Sequence, residues 1–112
     1  MESLLNSITH SIQTFKSLDE IVGKEDGQLL TNIMKNLSSD LFFLEKHRDE
    51  YARKHNTILH LKISEGMAVS KAEIIAKEQV PELYLLRRIM TSAYKTLDAV
   101  RSTLSFVKSE QS

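Results

Sequence analysis

The chain has 112 residues with fifteen basic and fifteen acidic side chains, one proline, three glycines and no cysteine. A chain of this length is one domain with a modest core, and the lack of cysteine excludes disulfides, thiolate metal sites and a catalytic thiol. No window reaches the roughly 18 apolar residues of a membrane span, and the N-terminus lacks the pattern of a signal peptide, so a cytoplasmic location is expected. The zero formal charge hides a polarity: residues 1–40 carry three lysines against six acids, and residues 41–112 carry twelve basic against nine acidic side chains. Such a division permits head-to-tail self-association or a half that faces a polyanion.

With so few helix breakers and no sustained alternation, helix is expected throughout, in one domain over residues 1–112. The first predicted helix is acidic and amphipathic and runs to residue 22. Leu5, Ile8, Ile12, Phe15 and Val22 form a seam interrupted at Asp19, while Leu4 and Leu18 widen the apolar face. Gly23 is placed to end it, since glycine enters the left-handed conformation without steric cost. Residues 23–27 read as a connector in which Asp26 is a candidate N-cap.

A long second helix is predicted over residues 28–63. Its stripe begins with Leu30, Ile33, Met34, Leu37, Leu41 and Leu44, then continues through Arg48, Tyr51, His55, Ile58 and Lys62 and becomes half polar. Polar side chains on a seam restrict register and partner choice, or lie at a rim with their stems buried. On the solvent face, Asp49 and Arg53, Glu50 and Lys54, and Lys46 and Glu50 are four apart and spaced for ion pairs of roughly 0.3–0.5 kcal/mol each.

Gly66 is placed to close that helix, and Ser70 with Glu73 has capping-box spacing for a short third helix over residues 71–79. Pro81 then breaks or kinks the chain near Val80. The last predicted helix, over residues 82–109, carries the clearest signal. Leu83, Leu86, Met90, Ala93, Leu97, Val100, Leu104 and Val107 follow at spacings of three and four without a miss, a strict a/d heptad seam. Arg87, Tyr94, Arg101 and Lys108 recur every seven residues beside it.

Catalytic chemistry is not visible. The four histidines lack metal-ligand spacing and no HExxH motif occurs. Neither a GxSxG elbow nor a glycine-rich phosphate loop is present. The residues imply neither an enzyme nor a metal or cofactor. The rail beside the seam, with Arg88 and Lys95 on adjacent turns, could run along a phosphate backbone while Tyr84 and Tyr94 offer rings to unstacked bases. The competing explanation is that e positions of any coiled coil carry long charged side chains that shield the seam and pair across it.

The stretch Thr96-Leu-Asp-Ala-Val-Arg-Ser-Thr-Leu-Ser-Phe-Val-Lys108 resembles the C-terminal helix of the T-even-type phage recombination mediators, the UvsY family; the resemblance is carried mainly by residues 83–108. Leu97, Asp98, Ala99, Arg101, Ser102, Phe106 and Lys108 match position by position. The chain is also similar to other small helical phage proteins. The resemblance implies a phage protein of the host cytoplasm. It would be an oligomer that binds single-stranded DNA and assists a recombinase in place of a single-strand binding protein.

Together these readings predict an all-α fold, a long antiparallel, coiled-coil-like helical hairpin with shorter flanking helices, assembled as a homo-oligomer. Part of the Leu83–Val107 seam is expected to pack on Leu30–Leu44 and part on another subunit, which makes Leu83, Leu86, Met90, Ala93, Leu97, Val100, Leu104 and Val107 the oligomerisation residues. Lys46, Arg48, Arg53, Lys54, Arg87, Arg88 and Arg101 are the candidate nucleic-acid contacts. The alternative is a protein–protein inhibitor or adaptor, such as a phage anti-defence factor, acting through Glu2, Asp19, Glu20, Glu25 and Asp26.

Overall fold

The computed structural model describes residues 1–18 and 26–111. These residues form four α-helices and no strand: α1 Glu2–Lys16, α2 Gly27–Ser64, α3 Val69–Gln79 and α4 Pro81–Gln111. Helix α2, with 38 residues, is about 57 Å long at the helical rise of about 1.5 Å per residue. It therefore spans most of the 64 Å long axis of a rod that is 23 by 20 Å across. The other three helices all pack on α2.

The heptad seam of α4 is spent inside the chain. Leu86, Met90, Ala93, Leu97, Val100, Leu104 and Val107 join Leu30, Ile33, Leu37, Leu41 and Leu44 of α2 and Ile8 of α1 in one buried cluster. None of the eight seam residues is more than 6% exposed. The part of the seam expected to meet another subunit is thus covered by the chain's own helices. The missing cover comes from α1, whose Leu4, Leu5, Ile12 and Phe15 pack on the cluster alongside Ile8 and whose Ser7 donates a 2.5 Å hydrogen bond to Asp40.

Away from α1 the rod thins to α2, α3 and the start of α4. Ala72, Ala76, Val80 and Leu83 are buried there, outside the main cluster. Two alanines on the contact face let α3 approach α2 closely, because interaxial distance follows side-chain size. The half-polar track of α2, Arg48, Tyr51, His55, Ile58 and Lys62, is half-buried along its whole length. Tyr51 packs on the cluster, and the charged members keep their heads at the rim.

Helix ends show where local signals prevailed. Helix α1 stops at Lys16 instead of continuing through Leu18: the Ser17 amide bonds Gln13, the Leu18 amide reaches only to Phe15, and the Ser17 hydroxyl donates to the Thr14 carbonyl. That tightened last turn ends the helix, and Asp19 and Val22 lie outside the described residues. Asp26 precedes α2 with helical dihedrals and makes no side-chain cap bond.

At the other end, Gly66 takes φ 95°, its amide bonds Ile63 and the Met67 amide bonds Lys62. This is a Schellman closure. The capping box at Ser70 and Glu73 does not form. Helix α3 starts earlier, after an extended Ala68 whose carbonyl accepts from the Ala72 amide, so Ser70 already lies within the first turn. Only Val80, at φ −129° and ψ 63°, separates α3 from α4.

Candidate nucleic-acid interface

The outward face of α4 next to the α3 junction is lined by Tyr84, Arg87, Arg88, Thr91, Ser92 and Lys95, around a shallow depression of about 450 Å³. No carboxylate is among these lining residues. Helix geometry gathers them: residues three, four and seven apart share one face. Lys77 of α3 joins the group across the break, its Nζ 4.6 Å from the centre of the Tyr84 ring, while the Arg87 guanidinium lies 6.0 Å from the same ring. Both cations are thus within cation–π reach of one exposed ring.

The structure brings together only part of the expected cationic set. Arg87 and Arg88 belong to this face. Arg101 lies further along α4, paired with Asp98 at 3.9 Å, and lines a cleft between α2 and α4 with Ser38, Phe42 and Tyr94. Arg48, half-buried, pairs with Asp49 at 3.2 Å. Arg53 lines a separate depression on α2 with Asn56, Thr57 and His60. Lys54 lies 5.2 Å over the Tyr51 ring, and Lys46 is exposed.

The expected ion pairs four apart on α2 do not form. Asp49 turns to Arg48, Glu50 lies 4.0 Å from His47, and Arg53 Nε donates to the Asp49 carbonyl at 3.5 Å. Shorter local partners win where every charge is solvated and pairing is worth little.

Lys77 is not among the cations expected from the sequence, because the break or kink expected near Val80 leaves its position relative to the last helix undefined. Lys77, Tyr84, Arg88 and Lys95 are spaced seven, four and seven apart. That stripe would have shown, had the helix been read through the single residue Val80.

Tyr94, on the rail, crosses the α2–α4 cleft and its hydroxyl donates to Glu45 Oε1. That bond, partial burial and the carboxylate's charge hold the phenol above its ordinary value of 10.0, with Arg48 opposing. Rail residues therefore divide: Tyr94 pairs across the seam as a coiled-coil flank does, Arg101 pairs within its own helix, and Arg87 faces outward.

Of the acidic side chains assigned to an adaptor surface, Glu2 and Asp26 are described, whereas Asp19, Glu20 and Glu25 lie outside the described residues. Among the described residues no group of three or more histidine or acidic side chains is arranged to hold a metal ion. No helix among them is long and apolar enough to cross a membrane. Comparison with protein-family models, with curated proteins and with solved structures finds no match to this chain in any of the three.

Proposed function

We propose that this chain is a phage-type helical accessory protein that binds single-stranded DNA and assists a recombination or replication machine. The carrying observation is the face of Tyr84, Arg87, Arg88 and Lys95, whose lining includes no carboxylate, with Lys77 beside it against the Tyr84 ring. Cations at helical spacing neutralise successive phosphates and release their counterions, and an exposed ring offers a sequence-tolerant stacking platform.

The long α2–α4 pair acts as a stiff antiparallel support for that face. Gly27 lies against Val107 while Glu45 meets Tyr94, so the residue numbers run in opposite senses along the two helices. Oligomerisation belongs to the same proposal. With the heptad seam buried, the apolar side chains open to a second copy are ones such as Ile74, Leu85 and Phe106. The resemblance of residues 83–108 to phage recombination mediators supports the biological setting.

The test is titration of a labelled oligonucleotide at two salt concentrations. Binding should weaken steeply with salt, with a logarithmic slope of about −0.7 per phosphate contacted. No binding at low salt, or a salt-independent signal, would refute the proposal and direct attention to a protein partner.

A further inference from the structure

We infer that one base of the bound strand stacks on the Tyr84 ring, in the place that the Lys77 ammonium holds over it, and that the released Lys77 then meets a phosphate. This rests on the function just proposed and adds to it a stacking residue, a location at the α3–α4 joint and a displaceable cover.

Charge around this ring favours a phosphate-linked ligand. From Leu83 to Leu97 the sequence holds three cations, Arg87, Arg88 and Lys95, and no acid. The acids that come just before that stretch, Glu78 and Glu82, are absent from the lining of the depression around Tyr84. The other two tyrosines are engaged elsewhere: Tyr94 donates to Glu45, and Tyr51 packs on the core cluster beneath Lys54. Tyr84 is 36% exposed and lies on the outward face of α4.

Magnitudes decide between the two occupants of the ring. Lys77 is spaced to pair with Glu73, four residues earlier on α3, yet its Nζ lies 4.6 Å from the Tyr84 ring centre instead. An exposed cation–π contact is worth about a 2- to 5-fold bias. A base stacked on an aromatic ring contributes about 5- to 150-fold, so the base takes the ring. The displaced ammonium is a point charge on a flexible four-carbon stem, which lets it turn from the ring to a phosphate of the same strand. Arg87, 6.0 Å from the ring centre, holds positive charge beside the stacked base throughout.

The experiment compares oligothymidylate with an abasic sugar–phosphate oligomer of equal length, on wild type, Tyr84→Leu, Tyr84→Phe and Lys77→Met, with circular dichroism confirming the fold. Tyr84→Leu should weaken oligothymidylate binding about 5- to 150-fold, the range for one lost base–aromatic stack. The abasic oligomer should be unaffected, and Tyr84→Phe should bind both like wild type. Lys77→Met should reduce the logarithmic salt slope by about 0.7 on either oligomer, one phosphate contact. The chain has three tyrosines and no tryptophan, so tyrosine emission reports the stack: oligothymidylate should quench it in wild type and far less in Tyr84→Phe. Equal loss on both oligomers in Tyr84→Leu, no loss on either, or an unchanged slope in Lys77→Met overturns the inference while leaving the basic face intact. Quenching that survives in Tyr84→Phe places the base on another ring and overturns it as well. A wild type that binds neither oligomer overturns inference and function together.

Discussion

Leu85 and Leu86 are neighbours in sequence with opposite fates, and truncating each to alanine separates an internal seam from an intermolecular one. Leu86 is 1% exposed within the core cluster, whereas Leu85 is 58% exposed. Leu86→Ala removes about three carbon groups worth about 0.8 kcal/mol each. The unfilled cavity brings the expected loss to about 3–5 kcal/mol. Against a total of about 5–15 kcal/mol for a domain, that is a large fraction.

With a urea slope of about 1–3 kcal/mol/M, the Leu86→Ala midpoint should fall by about 1–5 M. Leu85→Ala should stay within about 0.5 kcal/mol of wild type. Urea melts followed by circular dichroism at two protein concentrations provide the readout. An internal seam gives a wild-type midpoint independent of concentration. A midpoint that rises with concentration in wild type, and loses that dependence in Leu86→Ala, would show that the seam joins subunits and refute the reasoning.

Three further outcomes are expected. Gly66→Ala should destabilise by about 1–2 kcal/mol, the strain of a left-handed non-glycine residue. A Cβ there meets nothing within 4 Å, so a much larger loss in a thermal melt would point to a contact the fold does not contain. Tyr94 is a phenol whose folded-state value is raised, so its stabilising contribution is complete below the ordinary value of 10.0 and is lost as pH rises through the raised one. In an ultraviolet titration one tyrosine should ionise late, and Tyr94→Phe should remove that late component; loss of an early component instead would contradict the Glu45 bond. Replacing Arg87 and Arg88 together by alanine should flatten the logarithmic salt slope of oligonucleotide binding by about 1.4, at about 0.7 per lost phosphate contact. An unchanged slope would remove those residues from the interface.

The helical class and the inward face of the last helix were legible because each depends on local periodicity: a residue every three or four positions must lie on one side of a helix. Which surface covers that face is a tertiary matter. The half-polar track from Arg48 to Lys62 made α2 look too poor a partner for the seam, and the contribution of Ile8 and its neighbours on α1 could not be weighed from spacing. Capping was misread for a different reason. Ser70 and Glu73 have the right separation, but the Schellman turn at Gly66 delivers the chain to Ala68 already extended, and α3 begins before the box can form. The basic face was half visible. Arg87, Arg88, Lys95 and Tyr84 are close in sequence, while Lys77 reaches them only because the break at Val80 is a single residue long.

The uneven thickness of the rod has a consequence for its motions. Where α1 lies against the α2–α4 pair, opening any one helix uncovers a shared core; at the α3 end, the fully buried side chains of the short helix are the small Ala72 and Ala76. Local opening free energies follow buried apolar contact, so α3 should detach more readily than the rest. When it does, Lys77 leaves the Tyr84 ring and the cationic row loses its outermost member. A strand bound across the α3–α4 joint would hold that helix in place, and its presence should be recorded as slowed amide exchange over residues 69–79, far from the thick end of the molecule.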